Sequence, residues 1–166
     1  MRWIAEALWL AAAVVAYGVY GPYIAINGAI PVFPLILIVR VALTHGEIAG
    51  NLTGFSGGLL IDAFSAEWFG STMLIDSLIG YAIGAMRGRI VLDSLLARVI
   101  VLLMAAEVHS VGIIMVRAVA GPPLAWSLPV AMGAGLYTAL VGAVWWVVSD
   151  LGRGILGWRS VWDVER

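Results

Sequence analysis

Two runs of residues spaced four apart constrain this chain more than any other feature of its sequence. Their members are Gly46, Gly50, Gly54, Gly58 and Asp62 in the first run, and Asp76, Gly80, Gly84 and Gly88 in the second. Residues four apart lie on nearly one face of an α-helix, so each run predicts a bare stripe that ends at a carboxylate. In water each interior glycine costs about 1 kcal/mol relative to alanine, whereas in lipid the stripe lets another helix backbone approach closely.

The composition indicates that the solvent of this chain is a lipid bilayer. Its 166 residues are 63% hydrophobic and 11% charged, whereas a soluble domain is about 45–50% apolar and about 25% charged. A membrane-spanning helix takes about 20 apolar residues, so the length allows about six spans and leaves no room for a soluble domain. We therefore predict an all-α integral membrane protein with a single transmembrane domain over residues 1–166.

Apolar stretches and the breaks between them divide the chain into six predicted spans. The spans cover residues 3–20, 33–44, 48–64, 71–86, 92–119 and 126–148, and a short polar tail follows at 150–166. Three of the six prolines lie between residues 22 and 34, which predicts an interfacial loop that is in part re-entrant. The first span could also be read as a signal peptide, but the apolar remainder of the chain favours a membrane span.

The arginines set the predicted orientation, because cytoplasmic ends of membrane proteins are enriched in Arg and Lys. All nine basic residues are Arg. With six spans and a cytoplasmic N-terminus, Arg117 alone falls on the opposite side. We therefore predict that both termini are cytoplasmic and that the short tail lies in the cytoplasm. The arginines form no basic run of the kind that binds nucleic acid.

Four ionisable side chains are predicted to lie within the membrane. They are Asp62, Asp76, Glu107 and His109. Intramembrane carboxylates cost about 2.5–3.5 kcal/mol on insertion scales and normally face a partner, a cavity or each other. For Asp62 we favour an anchoring role in the turn, with Ser65, Ser71 or Thr72 as donor. An ion or proton path and a contact with a partner are the alternatives, and for Asp76 neither reading is preferred.

The same side chains give little support to catalysis or metal binding. The two aspartates could mimic an intramembrane aspartyl pair, but no water-accessible motif surrounds them. Glu107 and His109 stand two residues apart, so they point about 200° apart on a helix and cannot share one ion unaided. A contact of Glu107 with Arg98, Arg40 or a partner helix is favoured instead. The chain has no cysteine and no lysine, which excludes thiolate and Schiff-base chemistry. We predict neither an enzyme nor a cofactor-binding protein.

The segment 46–89 carries the most specific motif of the chain. The motif reads Gly-Phe-x-x-Gly-Leu-Leu-x-Asp-x-x-Ser before a turn with glycine, and its members are Gly54, Phe55, Gly58, Leu59, Leu60, Asp62, Ser65 and Gly70. This motif resembles that of the rod shape-determining protein MreD family, and the length, the six-span layout and the polar position in the fifth span agree with it. One departure is Leu35, which follows Pro34 where relatives often carry Asp or Asn.

The resemblance implies a non-enzymatic part of the bacterial machinery that builds sidewall peptidoglycan and maintains rod shape. It implies a place in the cytoplasmic membrane beside the bitopic protein MreC. MreB, the glycosyltransferase RodA and its penicillin-binding transpeptidase are the implied neighbours, and the bilayer lipid surrounds the helices. The implied fold is similar to that of the S-components of ECF vitamin transporters.

The glycine runs are the predicted packing or partner interface. This interface comprises Gly46, Gly50, Gly54, Phe55, Gly58, Gly80, Gly84 and Gly88. The two runs could pack against each other inside a helical hairpin, or they could receive the single helix of a partner.

The alternative function is a vitamin-binding S-component, which would need an outward pocket lined with polar and aromatic side chains. The predicted outward loops are short and offer few residues to line such a pocket. This favours the non-enzymatic membrane adaptor that the resemblance implies.

Overall fold

Six α-helices make up the part of the chain that the computed structural model describes, which is residues 2–64, 69–89, 94–120 and 127–156. The helices are α1 (Arg2–Tyr20), α2 (Phe33–His45), α3 (Glu47–Phe64), α4 (Ser71–Ala85), α5 (Leu95–Ala120) and α6 (Ser127–Leu156). Short 3-10 turns follow α1 at Gly21–Ile24 and α4 at Arg87–Arg89. The prediction of an all-α chain with six helices is confirmed.

The last helix is longer than its predicted span. The sequence predicts a polar tail from Asp150, whereas α6 continues as a helix to Leu156. Residues 157–166 of the predicted tail lie outside the described residues, as do the predicted turn around residues 65–68 and the loop at 121–126.

Large apolar side chains cover the outside of the helices. On α5 and α6 they recur about every four residues, as Leu96, Ile100, Met104, Val108, Met132, Leu136, Leu140, Val144 and Val148. Soluble monomers rarely expose contiguous apolar patches of more than a few hundred Å². Segments Glu6–Ile24, Leu95–Val116 and Pro129–Leu151 are long and apolar enough to cross a membrane, and Phe33–His45 and Ser71–Ala85 are shorter apolar helices. The exterior is therefore built to face lipid.

The shortest helix, α2, lies at the centre of the bundle. It contacts each of the other five helices. Nine of its 13 residues are buried, and six of these nine join a core with Ile75, Ile79 and Ile83 of α4, Leu102, Ala105 and Ala106 of α5, and Trp146 of α6. Thirteen helical residues extend only about 20 Å, so α2 is shorter than the hydrocarbon core of about 30 Å.

A tight turn reverses the chain before α2. Asn27 and Gly28 have positive φ values of 51° and 84°, as the two central residues of a type I′ turn require. The turn is closed by two hydrogen bonds between Ile26 and Ala29, with N···O distances of 3.0 and 2.9 Å. The Asn-Gly pair therefore lets the chain turn back towards the bundle.

The segment between this turn and α2 is largely buried. It belongs to the loop that the sequence predicts, from its prolines, to be partly re-entrant. Pro31 and Pro34 are fully buried, and Val32 is 4% exposed. The backbone N–H of Val32 donates to the Thr138 hydroxyl oxygen of α6 at 3.0 Å. Non-helical backbone at membrane depth is tolerated only where protein groups or a cavity satisfy it. The Thr138 hydroxyl therefore allows the chain to enter the bundle before α2 begins.

Helices α3 and α4 form an antiparallel hairpin in which the two backbones touch. A Cβ atom built on Gly50 would overlap the carbonyl oxygen of Gly80, and one built on Gly80 would overlap that of Gly50. The other contacts pair Gly54 with the Asp76 backbone, Gly58 with the Met73 backbone and Gly84 with the Glu47 backbone. We call this line of contacts the glycine seam. Its close approach permits Cα–H···O contacts between helices.

Not every residue of the predicted interface lies in the glycine seam. Gly46 ends α2 with a φ of 90°, and its backbone meets Gly84. Gly88 lies in the turn after α4, and a Cβ there would meet nothing within 4 Å. Phe55 is 43% exposed on the outer side of α3. The glycines of the seam face each other, so they are not open to the helix of a partner.

Gly54→Ala is expected to destabilise the chain, because the added methyl group overlaps the Asp76 carbonyl and forces α3 and α4 apart. Overpacking of this kind costs about 1–3 kcal/mol, measured as a lower denaturant midpoint in detergent micelles. Gly18→Ala in α1 is the matched control, since nothing lies within 4 Å of its Cβ position. Equal losses in the two variants would contradict the glycine seam.

Candidate functional site

The buried polar side chains are the candidate functional residues of this bundle. Those described are Asp62, Thr72, Asp76, Arg98, His109, Ser110 and Thr138. Apart from Ser110, they belong to four groups: a cap at the hairpin turn, a pair between α4 and α5, a pair between α5 and α6, and the Thr138 contact. The sequence singled out Asp62, Asp76 and His109, weighed Arg98 only as a partner for Glu107, and missed Thr138.

Asp62 is 1% exposed and lies in the last turn of α3. Its Oδ2 accepts hydrogen bonds from the backbone N–H groups of Gly70 and Met73, both at 2.9 Å, and its Oδ1 accepts one from Thr72 at 3.3 Å. These N–H groups belong to the first turn of α4 and have no partner inside that helix. The carboxylate therefore caps α4 from the neighbouring helix, where the helix dipole also favours a negative charge.

The local sequence explains why this cap comes from α3. The residue in the N-cap position of α4 is Gly70, which has a φ of 98° and no side chain to offer. The sequence predicted a hydrogen bond to Asp62 from Ser65, Ser71 or Thr72, and Thr72 donates one through its backbone N–H. Ser65 lies outside the described residues.

Asp76 and His109 form a buried pair between α4 and α5. Asp76 is 0% exposed and His109 is 7% exposed, and Asp76 Oδ1 lies 2.6 Å from His109 Nδ1. The Asp76 backbone faces Gly54 in the glycine seam, while its side chain reaches α5. Its other oxygen, Oδ2, has no hydrogen-bond partner among the described residues. The pair links the hairpin to α5.

The two aspartates do not form an intramembrane aspartyl pair. Asp62 binds the N–H groups of residues 70–73, whereas Asp76 lies about one turn further along α4 and binds His109. Each carboxylate thus has its own hydrogen-bond partners. Within the described ranges, no group of three or more His, Asp or Glu side chains lies close enough to hold a metal ion.

Arg98 connects the start of α5 to the end of α6. Its guanidinium lies 3.4 Å from Asp150 Oδ2, and its carbon atom Cζ lies 6.0 Å from the ring centroid of Trp146. Arg98 is 8% exposed. The pairing joins residues 52 positions apart, so no local pattern indicates it. The pairing shows that α5 and α6 run antiparallel. It also means that Arg98, which the sequence offered as a partner for Glu107, is bound to Asp150.

Glu107 lies on another side of α5 from His109. Its carboxylate packs against Gly135 of α6, where a Cβ atom would overlap its oxygen Oε1. The side chain is partly exposed at the edge of the contact between α5 and α6. Glu107 therefore packs against the backbone of α6, and Arg98, one of the partners that the sequence favoured for it, is paired with Asp150 instead.

Asp62→Asn is expected to cost about 1 kcal/mol, the usual worth of a helix cap, because its remaining oxygen can still accept from Gly70 and Met73. Asp62→Leu removes both acceptor oxygens, and with them all three hydrogen bonds, so it should cost about 3 kcal/mol or more. Both are measured by denaturant unfolding in detergent. If Asp62→Asn abolished rod shape in cells at normal protein levels, the residue would have a charge-dependent role beyond capping.

His109→Leu is expected to lower stability by about 3–5 kcal/mol, because it leaves the buried Asp76 carboxylate without a partner. The double variant Asp76→Ala/His109→Leu should lose less than this single variant, since no uncompensated carboxylate remains. The same unfolding assay measures the two. A double variant that loses more stability than His109→Leu alone would mean that the two side chains do not act as a pair.

Comparison with known protein families agrees with the resemblance read from the glycine-rich motif. A model of the family described as rod shape-determining protein MreD matches residues 2–122. The match extends from α1 to the end of α5 and includes the glycine seam, Asp62 and the Asp76–His109 pair. Neither a curated protein nor a solved structure matches the chain. This chain belongs to the MreD family of rod shape-determining proteins, a family of non-enzymatic helical membrane proteins.

Proposed function

We propose that this chain is a membrane adaptor of the bacterial cell-elongation complex, and that it binds the single membrane-spanning helix of MreC. Through MreC it supports rod shape and sidewall peptidoglycan synthesis, with MreB, RodA and its penicillin-binding transpeptidase as neighbouring components. The observation that carries the proposal is the family match over residues 2–122. The arrangement of the helices indicates which surfaces of the chain such an adaptor would use.

The interior of the bundle is occupied by interactions of the chain with itself. The glycine seam is filled by α3 and α4, Asp62 caps α4, and Arg98 pairs with Asp150. What the chain offers to other molecules is the apolar outer surface of its helices, where residues such as Met104 and Leu136 are more than half exposed. In lipid such surfaces associate by close packing and by hydrogen bonds between helices, which suits an adaptor.

We also propose that the bundle of six helices is embedded across the bacterial cytoplasmic membrane, with both termini in the cytoplasm. Glu6 near the start of α1 lies 3.8 Å from His45 at the end of α2, so these two ends share one side of the bundle. Arg87 approaches Gly46 at the same end, in accord with an arginine-rich cytoplasmic side. We further propose, as the family resemblance implies, that the fold is similar to that of the S-components of ECF transporters.

The vitamin-binding alternative receives no support from the cleft at the predicted outer end. This cleft has a volume of about 410 Å³ between the turn at residues 26–29 and α6. Its walls are mostly aliphatic, and its Tyr137 hydroxyl donates to the Ile24 carbonyl at 3.3 Å. A vitamin would require several converging polar groups.

Copurification tests the adaptor directly. When the tagged chain and full-length MreC are co-expressed and extracted in detergent, MreC should be recovered with the chain, because apolar helix surfaces of this kind associate in lipid. The control is an unrelated tagged membrane protein of six helices, which should recover none. Failure to recover MreC would overturn the adaptor proposal. A vitamin identified by mass spectrometry in the purified chain would favour the S-component instead.

A further inference from the structure

Glu107 lies at the middle of the membrane-spanning part of α5. It is the thirteenth of the 26 residues in that helix, so about 18–20 Å of helix extends on either side. Its exposed neighbours are apolar, with Met104 at 63%, Val108 at 57% and Leu136 of α6 at 55%. The carboxylate therefore sits near the midplane of the bilayer, at the edge of a surface that faces lipid.

Nothing that the structure describes supplies Glu107 with a hydrogen bond or a positive charge. Its carboxylate lies over Gly135, which has no side chain. Arg98 is engaged by Asp150, and His109 binds Asp76 on another side of α5. An ionised carboxylate only accepts hydrogen bonds, and charged groups at this depth almost always have a partner. The partner of Glu107 is therefore to be sought outside this chain.

We propose that the surface formed by Met104, Glu107, Val108 and Leu136, the Glu107 surface, binds the membrane-spanning helix of MreC through a donor on that helix. The donor is an Arg, Lys, His, Ser, Thr, Asn or Gln side chain that reaches the carboxylate. This inference rests on the adaptor function and adds to it the place of contact and the chemistry of recognition.

Charge and shape both favour a different chain over a second copy of this one. A symmetric dimer centred on this surface would place Glu107 against Glu107 of the second copy, since two-fold contacts pair a patch with itself. Two carboxylates in one apolar site disfavour each other's ionisation. A helix with a donor complements the charge instead. The neighbouring Met104 has a flexible side chain that adapts to the helix packed against it.

Glu107→Leu separates this role from a structural one. Recovery of MreC by the purified chain should fall about fivefold to thirtyfold, the range expected for loss of an interhelical hydrogen bond in a membrane. Glu107→Gln keeps an acceptor oxygen and should retain most of the recovery. The unfolding midpoint of the isolated Glu107→Leu chain should stay the same or rise, because the unpaired carboxylate is gone. The control Leu78→Ala removes an exposed side chain of α4 and should leave both readouts unchanged.

Crosslinking tests the location independently. The chain has no cysteine, so Met104→Cys and the control Leu78→Cys each introduce a unique thiol. Paired with cysteines along the membrane helix of MreC, Met104→Cys should crosslink to MreC and Leu78→Cys should not.

The outcomes distinguish this inference from the adaptor function. If Glu107→Leu recovers MreC as well as the wild type and Met104→Cys gives no crosslink to MreC, the inference is wrong while the adaptor function stands. Crosslinks between two copies of the chain at Met104→Cys, without MreC, would identify a second copy as the occupant and overturn it. If the wild-type chain recovers no MreC, the adaptor function fails and the inference fails with it.

Discussion

Direct contact between the backbones of α3 and α4 is the constraint on which the rest of the structure depends. Because Gly50, Gly54 and Gly80 have no side chains, the two helices approach so closely that a Cβ atom at any of these positions would overlap a backbone carbonyl of the other helix. In lipid such stripes of small residues allow this approach. This approach brings the end of α3 to the first turn of α4, so that Asp62 can cap that turn. It also leaves Asp76 with its backbone against Gly54 and its side chain free to reach α5. One close contact thus places both carboxylates that end the glycine runs.

The second constraint is that lipid offers no hydrogen bonds to polar groups. Most polar groups inside the described bundle accordingly meet protein partners, whether these are backbone groups at a helix end, as for Asp62, or side chains of a distant helix, as for Arg98 and Asp150. Thr138 serves the same purpose for the non-helical backbone before α2. Against this pattern Glu107 stands out, because it touches the edge of the lipid-facing surface without a donor. The side chains with protein partners build the fold, whereas Glu107, whose carboxylate has no donor among the described residues, is the basis of the proposed contact with another chain.

Much of the architecture is predictable because it is local. Apolar stretches broken by glycine, proline and arginine locate all six helices, and the four-residue spacing identifies the faces of α3 and α4 that carry no side chains. The motif from Gly54 to Gly70 identifies the family. The pairing of Arg98 with Asp150 was not predictable, nor was that of Thr138 with Val32, 106 residues away. Neither pair produces a recognisable pattern in the local sequence, because the two partners come together only when several helices pack.

The sequence by itself determined that the chain is helical, that its solvent is lipid, and which helix faces can approach closely, because periodicity and composition are properties of short segments. Only the tertiary structure decided that the two glycine runs face each other, and that the short α2 lies at the centre. It likewise decided that Asp62 binds backbone N–H groups and that Glu107 remains without a donor. These facts depend on the register and rotation of helices packed against one another. Those quantities are set by the whole set of side chains at each contact, which no single stretch of the chain contains.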